Sequence, residues 1–255
     1  MAFDVIIPAR YGSSRFPGKP LAPIGDWPMI RHVVERARES GADQVVVATD
    51  DERIRVVCED FGIDAVITDP DHTSGTERLA EVCRRQQWFD DRLVVNVQGD
   101  EPLMPPAFVS TVAANLAQHP ETVMATLVTP LAEGELHDPN IVKCVRSASD
   151  HALYFSRAPI PWDRDHRGNP PASLDGWWRH LGIYAYRSGF LKAYPDLAPS
   201  PLEEVESLEQ LRVLWHDRAI HAGAVHGDAG PGVDTPDDVS RVAARLQTRS
   251  GGRSS

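Results

Sequence analysis

The segment FDVIIPARYGSSRFPGKPLAPIG, residues 3–25, decides the fold class of this chain. Its apolar start, FDVII, predicts a buried first strand, and the glycines, serines and prolines that follow predict a long turn-rich loop. A helical pattern then begins near Pro28. Loops that follow the first strand of an open α/β sheet lie at its carboxyl edge, where ligands bind. The segment therefore predicts an α/β sheet whose first loop is a candidate ligand site.

The charge of this loop indicates which ligand it would bind. No acidic residue lies between Asp4 and Asp26, whereas Arg10, Arg15 and Lys19 all do, in a chain of net charge -11. Arginine clamps phosphate oxygens in two-point fashion and lysine adds a point charge, so the loop favours a polyphosphate. Loop composition alone is equally compatible with a solvated, flexible segment that carries exposed cations.

A Walker-type phosphate loop is excluded by the spacing of these residues. That motif reads G-x-x-x-x-G-K-[ST], with a hydroxyl after the lysine to bind magnesium. Here five residues separate Gly12 from Gly18, and Pro20 follows Lys19. The loop is therefore a phosphate site of another design, or it is no phosphate site.

Composition limits the classes of protein and partner. The 255 residues, 42% of them hydrophobic, suffice for one large α/β domain or two small ones. The 37 acidic residues outnumber the 26 Lys and Arg, which argues against a nucleic-acid partner and a basic membrane-surface module. We expect no membrane span and no signal peptide, because no apolar run is long enough and the N-terminus lacks a cationic start. Cys58, Cys83 and Cys144 lie far apart in apolar patterns, which predicts buried thiols in a reducing, cytoplasmic compartment.

Strand and helix patterns alternate over residues 28–68. This order predicts a parallel, right-handed βαβαβ unit in a three-layer α/β/α arrangement. The alternation breaks near residue 137, where strand patterns without intervening helices predict antiparallel additions. One of these, at 179–187, alternates like a half-exposed strand, and one helix is expected at 200–217.

The domain organisation follows from the same patterns. We expect a single domain over residues 1–247, in which 137–225 form an insertion region that carries a second substrate's pocket or a dimer contact. The sequence of residues 248–255 is small and polar, which predicts a disordered tail.

The segment Ser74-x-x-Glu77 has the spacing of a capping box and predicts a helix start near Gly75. Capping alone is a sufficient structural explanation for both side chains. The functional alternative is that the free N–H groups of this helix end bind an anion or the edge of a base. The motif by itself leaves both explanations open.

Acidic side chains follow a strand pattern at residues 92–102. Gln98, Asp100 and Glu101 come directly after its apolar core. Two acids at the carboxyl end of a central strand are a candidate site for a hard cation, although an N-cap before the next helix is the structural alternative. Asp234 lies just outside the N-cap that Thr235 is expected to form, so it is a second candidate metal ligand.

Seven segments, in order and over nearly the whole chain, resemble the 3-deoxy-manno-octulosonate cytidylyltransferase (CMP-Kdo synthetase) family. The resemblance implies a nucleotidyltransferase-like (Rossmann-like) three-layer fold, with a mostly parallel sheet and a small antiparallel insertion. It also implies a magnesium-dependent, dimeric enzyme. Such enzymes join CTP and Kdo, an eight-carbon acidic sugar, to give CMP-Kdo and pyrophosphate for lipopolysaccharide assembly in Gram-negative bacteria. The matching segments are IIPARYGSSRFPGKPL (6–21), DHTSGTERLAE (71–81), NVQGDEP (96–102), ALYFSRAPIPWDRD (152–165), RHLGIYAYR (179–187), EEVESLEQLRVLW (203–215) and GVDTPDD (232–238).

The resemblance also implies roles for individual residues. Arg10, Arg15 and Lys19 would bind the triphosphate and, with Asp100, form the catalytic set. Magnesium would be held by Asp100 and Asp234. The cytidine side would be lined by Arg10, Ser74, Gly75, Thr76 and Arg78.

For the sugar, Arg157 is expected to bind the carboxylate, because a guanidinium fork matches it. The hydroxyls would bind Gln98, His180, Tyr184, Glu209 and Gln210. A structural role for His180 and a solvated helix face for Glu209 and Gln210 remain the alternatives.

Two other functions remain open at this stage. The first is the same reaction with a related acidic sugar, 8-amino-Kdo or a sialic acid, because one pocket residue can decide between a hydroxyl and an amine. The second is a non-catalytic nucleotide-binding homologue, which would be expected to have lost a loop cation or a metal carboxylate. Arg15-Phe16-Pro17-Gly18-Lys19 resembles the Kdo branch rather than the sialate branch, and all five catalytic and metal candidates are present.

Overall fold

The first strand, β1, covers Asp4–Ala9 and lies near the centre of one large sheet. The computed structural model describes residues 1–12, 15–72, 74–165 and 173–251. For residues 248–251 it describes only the backbone. Ser13 and Ser14 of the first loop therefore lie outside the described residues. The remaining elements, in chain order, are β2 (Pro23–Ile24), β3 (Trp27–Pro28), α1 (Met29–Glu39), β4 (Gln44–Thr49), α2 (Glu52–Asp60), β5 (Asp64–Ile67), α3 (Gly75–Arg85), β6 (Leu93–Asn96), α4 (Pro106–Gln118), β7 (Met124–Pro130), β8 (Lys143–Arg146), β9 (Ala152–Ser156), β10 (Trp178–Arg187), α5 (Ser188–Ala193), α6 (Pro201–Glu206), α7 (Gln210–Trp215), β11 (Ile220–Ala224) and α8 (Pro236–Gly251).

The main sheet has the strand order β11-β7-β10-β6-β1-β4-β5. The pairs β1–β4, β1–β6, β4–β5 and β7–β11 are parallel, which confirms the predicted βαβαβ unit and the largely parallel α/β fold. The antiparallel strands are β10, which lies between β6 and β7, and the β8–β9 pair, which extends from β10. The sheet is therefore mixed at its centre, and the antiparallel addition begins inside it.

The prediction that β10 is half-exposed was wrong. Leu181, Ile183 and Ala185 pack into the core on one face of the sheet, and Tyr184 and Tyr186 pack into the core on the other. The alternation in this sequence separates small aliphatic from aromatic side chains, and both sets are buried because β10 is flanked by strands and covered by helices on both faces. Leu79 of α3 and Leu211 of α7 belong to the aromatic face, and Val33 of α1 and Val112 of α4 belong to the other.

The prediction of one helix over 200–217 was also wrong. Ser207 adopts a left-handed conformation, with φ of 52°, and separates α6 from α7. This break leaves Val205 85% exposed and turns Leu208 and Leu211 into the core. At the other end of the chain, α8 extends to Gly251, into the tail that was expected to be disordered. The three cysteines are buried and unpaired, as predicted.

Backbone contacts bring three distant segments to one edge of the sheet. Gly99 follows β6, and a Cβ at this position would lie 2.7 Å from the carbonyl oxygen of Pro8, so only glycine allows this close approach. The amide of Val233 donates to the carbonyl of Asp100 at 2.9 Å. The ends of β1 and β6 and the segment before α8 therefore meet at the carboxyl edge, where the functional side chains are expected.

Candidate active site

A cavity of about 210 Å³ lies at this edge of the sheet. It is formed by the loops after β1 and β6 and by the start of α3, which the parallel pairing of β1 and β6 brings side by side. Arg10, Lys19, Gly75, Gln98 and Asp100 are among its lining residues. The structure therefore brings residues from three of the predicted motifs into one cavity.

Lys19 lies between the two predicted metal ligands. Its Nζ is 2.6 Å from Oδ2 of Asp100 and 3.7 Å from Oδ1 of Asp234, and the Arg15 guanidinium is 3.1 Å from the same Asp234 oxygen. Lys19 follows a tight turn in which Gly18 has φ of 73° and donates its amide to the Tyr11 carbonyl at 2.9 Å. Two carboxylates that are 134 positions apart in the sequence thus converge on one cation.

This donor set fits a magnesium ion. Magnesium in phosphate-transfer sites is usually held by one or two carboxylates and completed by substrate phosphates and water. Asp100 and Asp234 supply two carboxylates that already face a positive charge. The described part of the chain contains no group of three or more His, Cys, Asp or Glu side chains that could hold a metal ion, so the remaining ligands would have to come from substrate or water.

Arg10 and Arg78 share a carboxylate that the sequence analysis did not single out. Asp50 lies 3.1 Å from the Arg78 guanidinium and 3.6 Å from Nε of Arg10. Arg78 is fully buried, and it also donates to the hydroxyl of Thr68. Its side chain therefore supports the loop end of β4 and does not line the cavity, whereas Arg10 does.

Helix α3 begins at Gly75, as the capping-box spacing predicts, and Ser74 is its N-cap. The Ser74 hydroxyl accepts the Glu77 amide at 3.2 Å, and Gly75 lines the cavity. Thr76 is buried and donates its hydroxyl to Oε1 of Glu209 at 2.9 Å. Of the predicted cytidine residues, Arg10 and Gly75 thus line the cavity, whereas Ser74 caps the helix and Thr76 bonds to the residue that precedes α7.

Glu101, the acid next to Asp100, has a different environment. Its Oε2 is buried and has no hydrogen-bond partner among the described residues. Burial, and then the charge of Asp100, raise the pKa of Glu101 to about 8. Of the two acids after β6, therefore, Asp100 is the one that contacts the loop cation.

A second cavity, of about 260 Å³, lies beside β10 and α7. His180, Tyr184 and Gln210 line it, and the Tyr184 hydroxyl donates to Oε1 of Gln210 at 3.3 Å. Burial lowers the pKa of His180 to about 3 and raises that of Tyr184 well above its usual value, so both side chains are neutral. Nε2 of Gln210 is buried without a partner among the described residues. The cavity thus offers neutral hydrogen-bonding groups that suit hydroxyls, and the cationic Arg179 also lines it.

The remaining predicted sugar residues lie elsewhere. Gln98 lines the first cavity. Glu209 is held by Thr76, and burial raises its pKa. The guanidinium of Arg157 donates to the carbonyls of Pro139, Glu206 and Ser207 at 2.9, 2.8 and 3.4 Å. All three nitrogens of the guanidinium therefore take part in joining the insertion loops, and Arg157 is absent from the described lining of either cavity.

Asp50 and Thr126 are residues beside the two cavities that sequence reasoning missed. Asp50 follows β4 at the same sheet edge, so the rule for strand ends that selected Asp100 also applies to it. Thr126 lies within β7, where its hydroxyl contacts His180, and no sequence pattern marks it.

Comparison with known proteins gives the same assignment along the whole chain. A family model described as cytidylyltransferase matches residues 5–220. A 3-deoxy-manno-octulosonate cytidylyltransferase from Halorhodospira halophila is 55% identical over 251 residues, which cover 97% of this chain and 98% of that protein. A protein with the same description from Alkalilimnicola ehrlichii is 54% identical over 248 residues, which cover 96% of this chain and 96% of that protein.

Solved structures agree with the sequence matches. A structure described as CMP:2-keto-3-deoxy-manno-octonic acid synthetase complexed with CTP superposes with a TM-score of 0.88 at 41% identity, covering 98% of this chain and 100% of that one. A cytidylyltransferase from Leptospira borgpetersenii, with a TM-score of 0.62 at 15% identity, shares the fold. The chain therefore belongs to the cytidylyltransferase family, among the 3-deoxy-manno-octulosonate cytidylyltransferases.

Proposed function

We propose that this protein transfers CMP from CTP to the anomeric hydroxyl of Kdo and releases pyrophosphate. The observation that carries the proposal is the 55% identity, over 97% of the chain, to a 3-deoxy-manno-octulosonate cytidylyltransferase. The product, CMP-Kdo, would supply lipopolysaccharide biosynthesis.

The chemical step is an in-line attack by the sugar hydroxyl on the α-phosphorus, with pyrophosphate leaving on the opposite side. Such a step depends mainly on positioning the reactants and neutralising charge on the phosphates. We assign the triphosphate to Arg10, Arg15 and Lys19, whose donors lie at or beside the first cavity. No side chain is assigned as a general base.

Magnesium is part of this proposal, with Asp100 and Asp234 as its protein ligands. When bound, magnesium neutralises phosphate oxygens and so allows an anionic sugar to approach an anionic nucleotide. Lys19 now contacts both carboxylates, and it would exchange them for phosphate oxygens when the nucleotide enters. This exchange keeps the carboxylate pair balanced by positive charge in both states.

The nucleotide and the sugar would occupy the two cavities. Ser74 and Gly75 at the start of α3 would contact the cytidine side through backbone groups. The sugar hydroxyls would bind His180, Tyr184 and Gln210, which line the second cavity. The Thr76–Glu209 hydrogen bond joins the helix end at the first cavity to α7 at the second, so it would couple their positions.

We also propose a homodimer that pairs through the insertion region. Leu153 on β9 is 59% exposed and Val205 on α6 is 85% exposed. These elements are neighbours, since Ser156 at the end of β9 donates to Glu206 at 2.5 Å. In the described chain β9 pairs with β8, and His151 just before it bridges to His221 of β11, so the proposed contact runs through the exposed side chains rather than through a free strand edge. Light scattering should give twice the chain mass, and Val205→Asp should reduce it toward the monomer.

The location we propose is the cytoplasm, because buried, unpaired cysteines suit a reducing compartment. None of the helices in the described ranges is both long and apolar enough to cross a membrane.

The test is pyrophosphate release by the purified protein with magnesium, CTP and Kdo. Parallel reactions would replace CTP by UTP or ATP, and Kdo by 8-amino-Kdo or a sialic acid. Release with CTP and Kdo, and with none of the other substrate pairs, supports the proposal. Release with CTP and another acid would retain the reaction and change the sugar, and no release from folded protein would favour a non-catalytic nucleotide-binding role.

A further inference from the structure

The hydroxyl of Thr126 contacts three groups at the irregular part of β10. Thr126 is fully buried on β7, opposite the point where the pairing register shifts between Leu181 and Tyr184. Its Oγ1 lies 2.8 Å from the carbonyl oxygen of Ile183, 3.1 Å from that of Leu181 and 3.0 Å from Nε2 of His180. These contacts determine how hydrogen bonds run from the sheet to the second cavity.

The direction of each bond follows from counting protons. A threonine hydroxyl has one proton, and carbonyl oxygens can only accept. Two hydrogen bonds form when Thr126 donates to a backbone carbonyl of β10 and accepts from Nε2–H of His180, so this is the favoured arrangement. In the opposite arrangement the hydroxyl would donate to Nε2, and the buried carbonyls of Leu181 and Ile183 would both lose their bond from Thr126.

The other ring nitrogen of His180 is then a hydrogen-bond acceptor. His180 is neutral because burial lowers the pKa of its ring to about 3, so Nδ1 carries a lone pair when Nε2 carries the hydrogen. Nδ1 has no hydrogen-bond partner in the part of the chain that the structure describes, and His180 lines the second cavity. Phe155 packs edge-on against the ring at 4.8 Å between centroids and restrains its orientation.

We propose that Thr126 is a positioning residue that holds His180 in the Nε2–H tautomer, so that Nδ1 accepts a hydrogen bond from a substrate hydroxyl. This inference rests on the proposed function, because it takes the second cavity to be the sugar site. His180 then selects a hydrogen-bond donor at one position of the sugar. An ether, a methyl ether or a deoxy centre at that position is rejected, because Nδ1 would remain unpaired.

The experiment compares Thr126→Val, which has nearly the same shape without the hydroxyl, with Thr126→Ser, which keeps it. Nitrogen-15 NMR of the histidine rings reports which nitrogen is protonated. The pair of signals that disappears in His180→Gln is assigned to the two ring nitrogens of His180. We expect the Nε2–H form in the wild type and in Thr126→Ser, and mixed tautomers in Thr126→Val. The KM for Kdo should rise roughly tenfold in Thr126→Val, the value of one hydrogen bond, with the KM for CTP changed far less.

Thr122→Val is the matched control. It removes another buried threonine hydroxyl bond, from Thr122 to the carbonyl of His119, outside the cavity. We expect it to lower stability without changing the tautomer of His180 or the KM for Kdo. If Thr122→Val raised the KM for Kdo as much as Thr126→Val does, the role of Thr126 would be structural only.

Separate measurements test the tautomer of His180 and the proposed function. A wild-type spectrum with the hydrogen on Nδ1 overturns the inference whatever the activity, and it does so even where Thr126→Val does not fold. Wild-type protein that shows the Nε2–H form but transfers no CMP to Kdo overturns the proposed function, and with it the role of Nδ1 in sugar binding.

Discussion

The ammonium of Lys19 lies 2.6 Å from the carboxylate of Asp100, and this ion pair joins the first loop of the sheet to the end of β6. Asp234 faces the same ammonium from the segment before α8. The cation thus holds two acids together that would otherwise repel each other. The arrangement has the charge pattern expected of a site that receives phosphate and magnesium together.

Asp100→Ala should abolish turnover and leave the fold intact. The carboxylate is partly exposed and bonds to Lys19, so its loss removes a proposed metal ligand without opening the core. We expect at least a hundredfold loss of kcat, in the range found when one charge-stabilising group is removed. Pyrophosphate release at saturating magnesium and thermal unfolding are the measurements. Turnover retained under these conditions would contradict the assignment of Asp100 to magnesium.

Arg78→Leu should destabilise the protein. The guanidinium is fully buried and pairs with Asp50, so its removal leaves a half-buried carboxylate whose remaining cationic neighbour, Arg10, is 3.6 Å away. Losing one partner of a buried ion pair costs about 3 kcal/mol of unfolding free energy. Urea denaturation measures this loss. Arg38→Leu is the control, because its ion pair with Glu35 and its bond to the Gly62 carbonyl are both exposed and should contribute less than about 1 kcal/mol.

Arg157→Met should act through stability and through the shape of the insertion loops. Its guanidinium bonds three backbone carbonyls, two of them at exposed positions, so the variant removes three hydrogen bonds and should lose about 2 kcal/mol of unfolding free energy. The earlier hypothesis, direct binding of the sugar carboxylate, predicts a higher KM for Kdo with unchanged stability. Denaturation and kinetics on the same preparation distinguish the two roles.

Stability should fall as pH decreases from about 6.5 to about 4, in part because of His221. His221 is buried on β11 and stacks on His119 at 3.8 Å between ring centroids. Burial, and then the charge of His119, lower the pKa of His221 from 6.5 to about 4. Within this window the unfolded chain binds a proton that folded His221 does not, so acid favours unfolding, by at most about 3 kcal/mol.

The measurement for His221 is the free energy of unfolding in urea at several pH values across this window. His221→Gln should flatten the dependence relative to wild type. His226→Gln changes an exposed histidine and should leave the slope as it is. Equal slopes in wild type and His221→Gln would contradict the effect.

Local sequence determined the parallel half of the fold and the positions of its loops. The strand and helix periods of residues 4–67 depend on neighbours in the chain, and turn residues such as Gly41 and Gly62 adopt the left-handed conformations that end helices there. The rule that ligands bind at strand ends also points to Lys19 and Asp100, because parallel strands bring their carboxyl ends to one edge.

Contacts between distant residues decided the rest, and no local pattern encodes them. Ser207 ends a helix although the apolar residues around it keep a helical spacing. The chain turns there because Leu208 and Leu211 pack into the core only after this turn. Arg157 has the chemistry to bind a carboxylate, yet the fold places carbonyls around it. The hydroxyl of Thr126 meets His180 from 54 positions away. The sequence by itself determined which chemical groups are present and which strands end near them, whereas only the tertiary structure decided which of those groups are already paired and which remain available to a substrate.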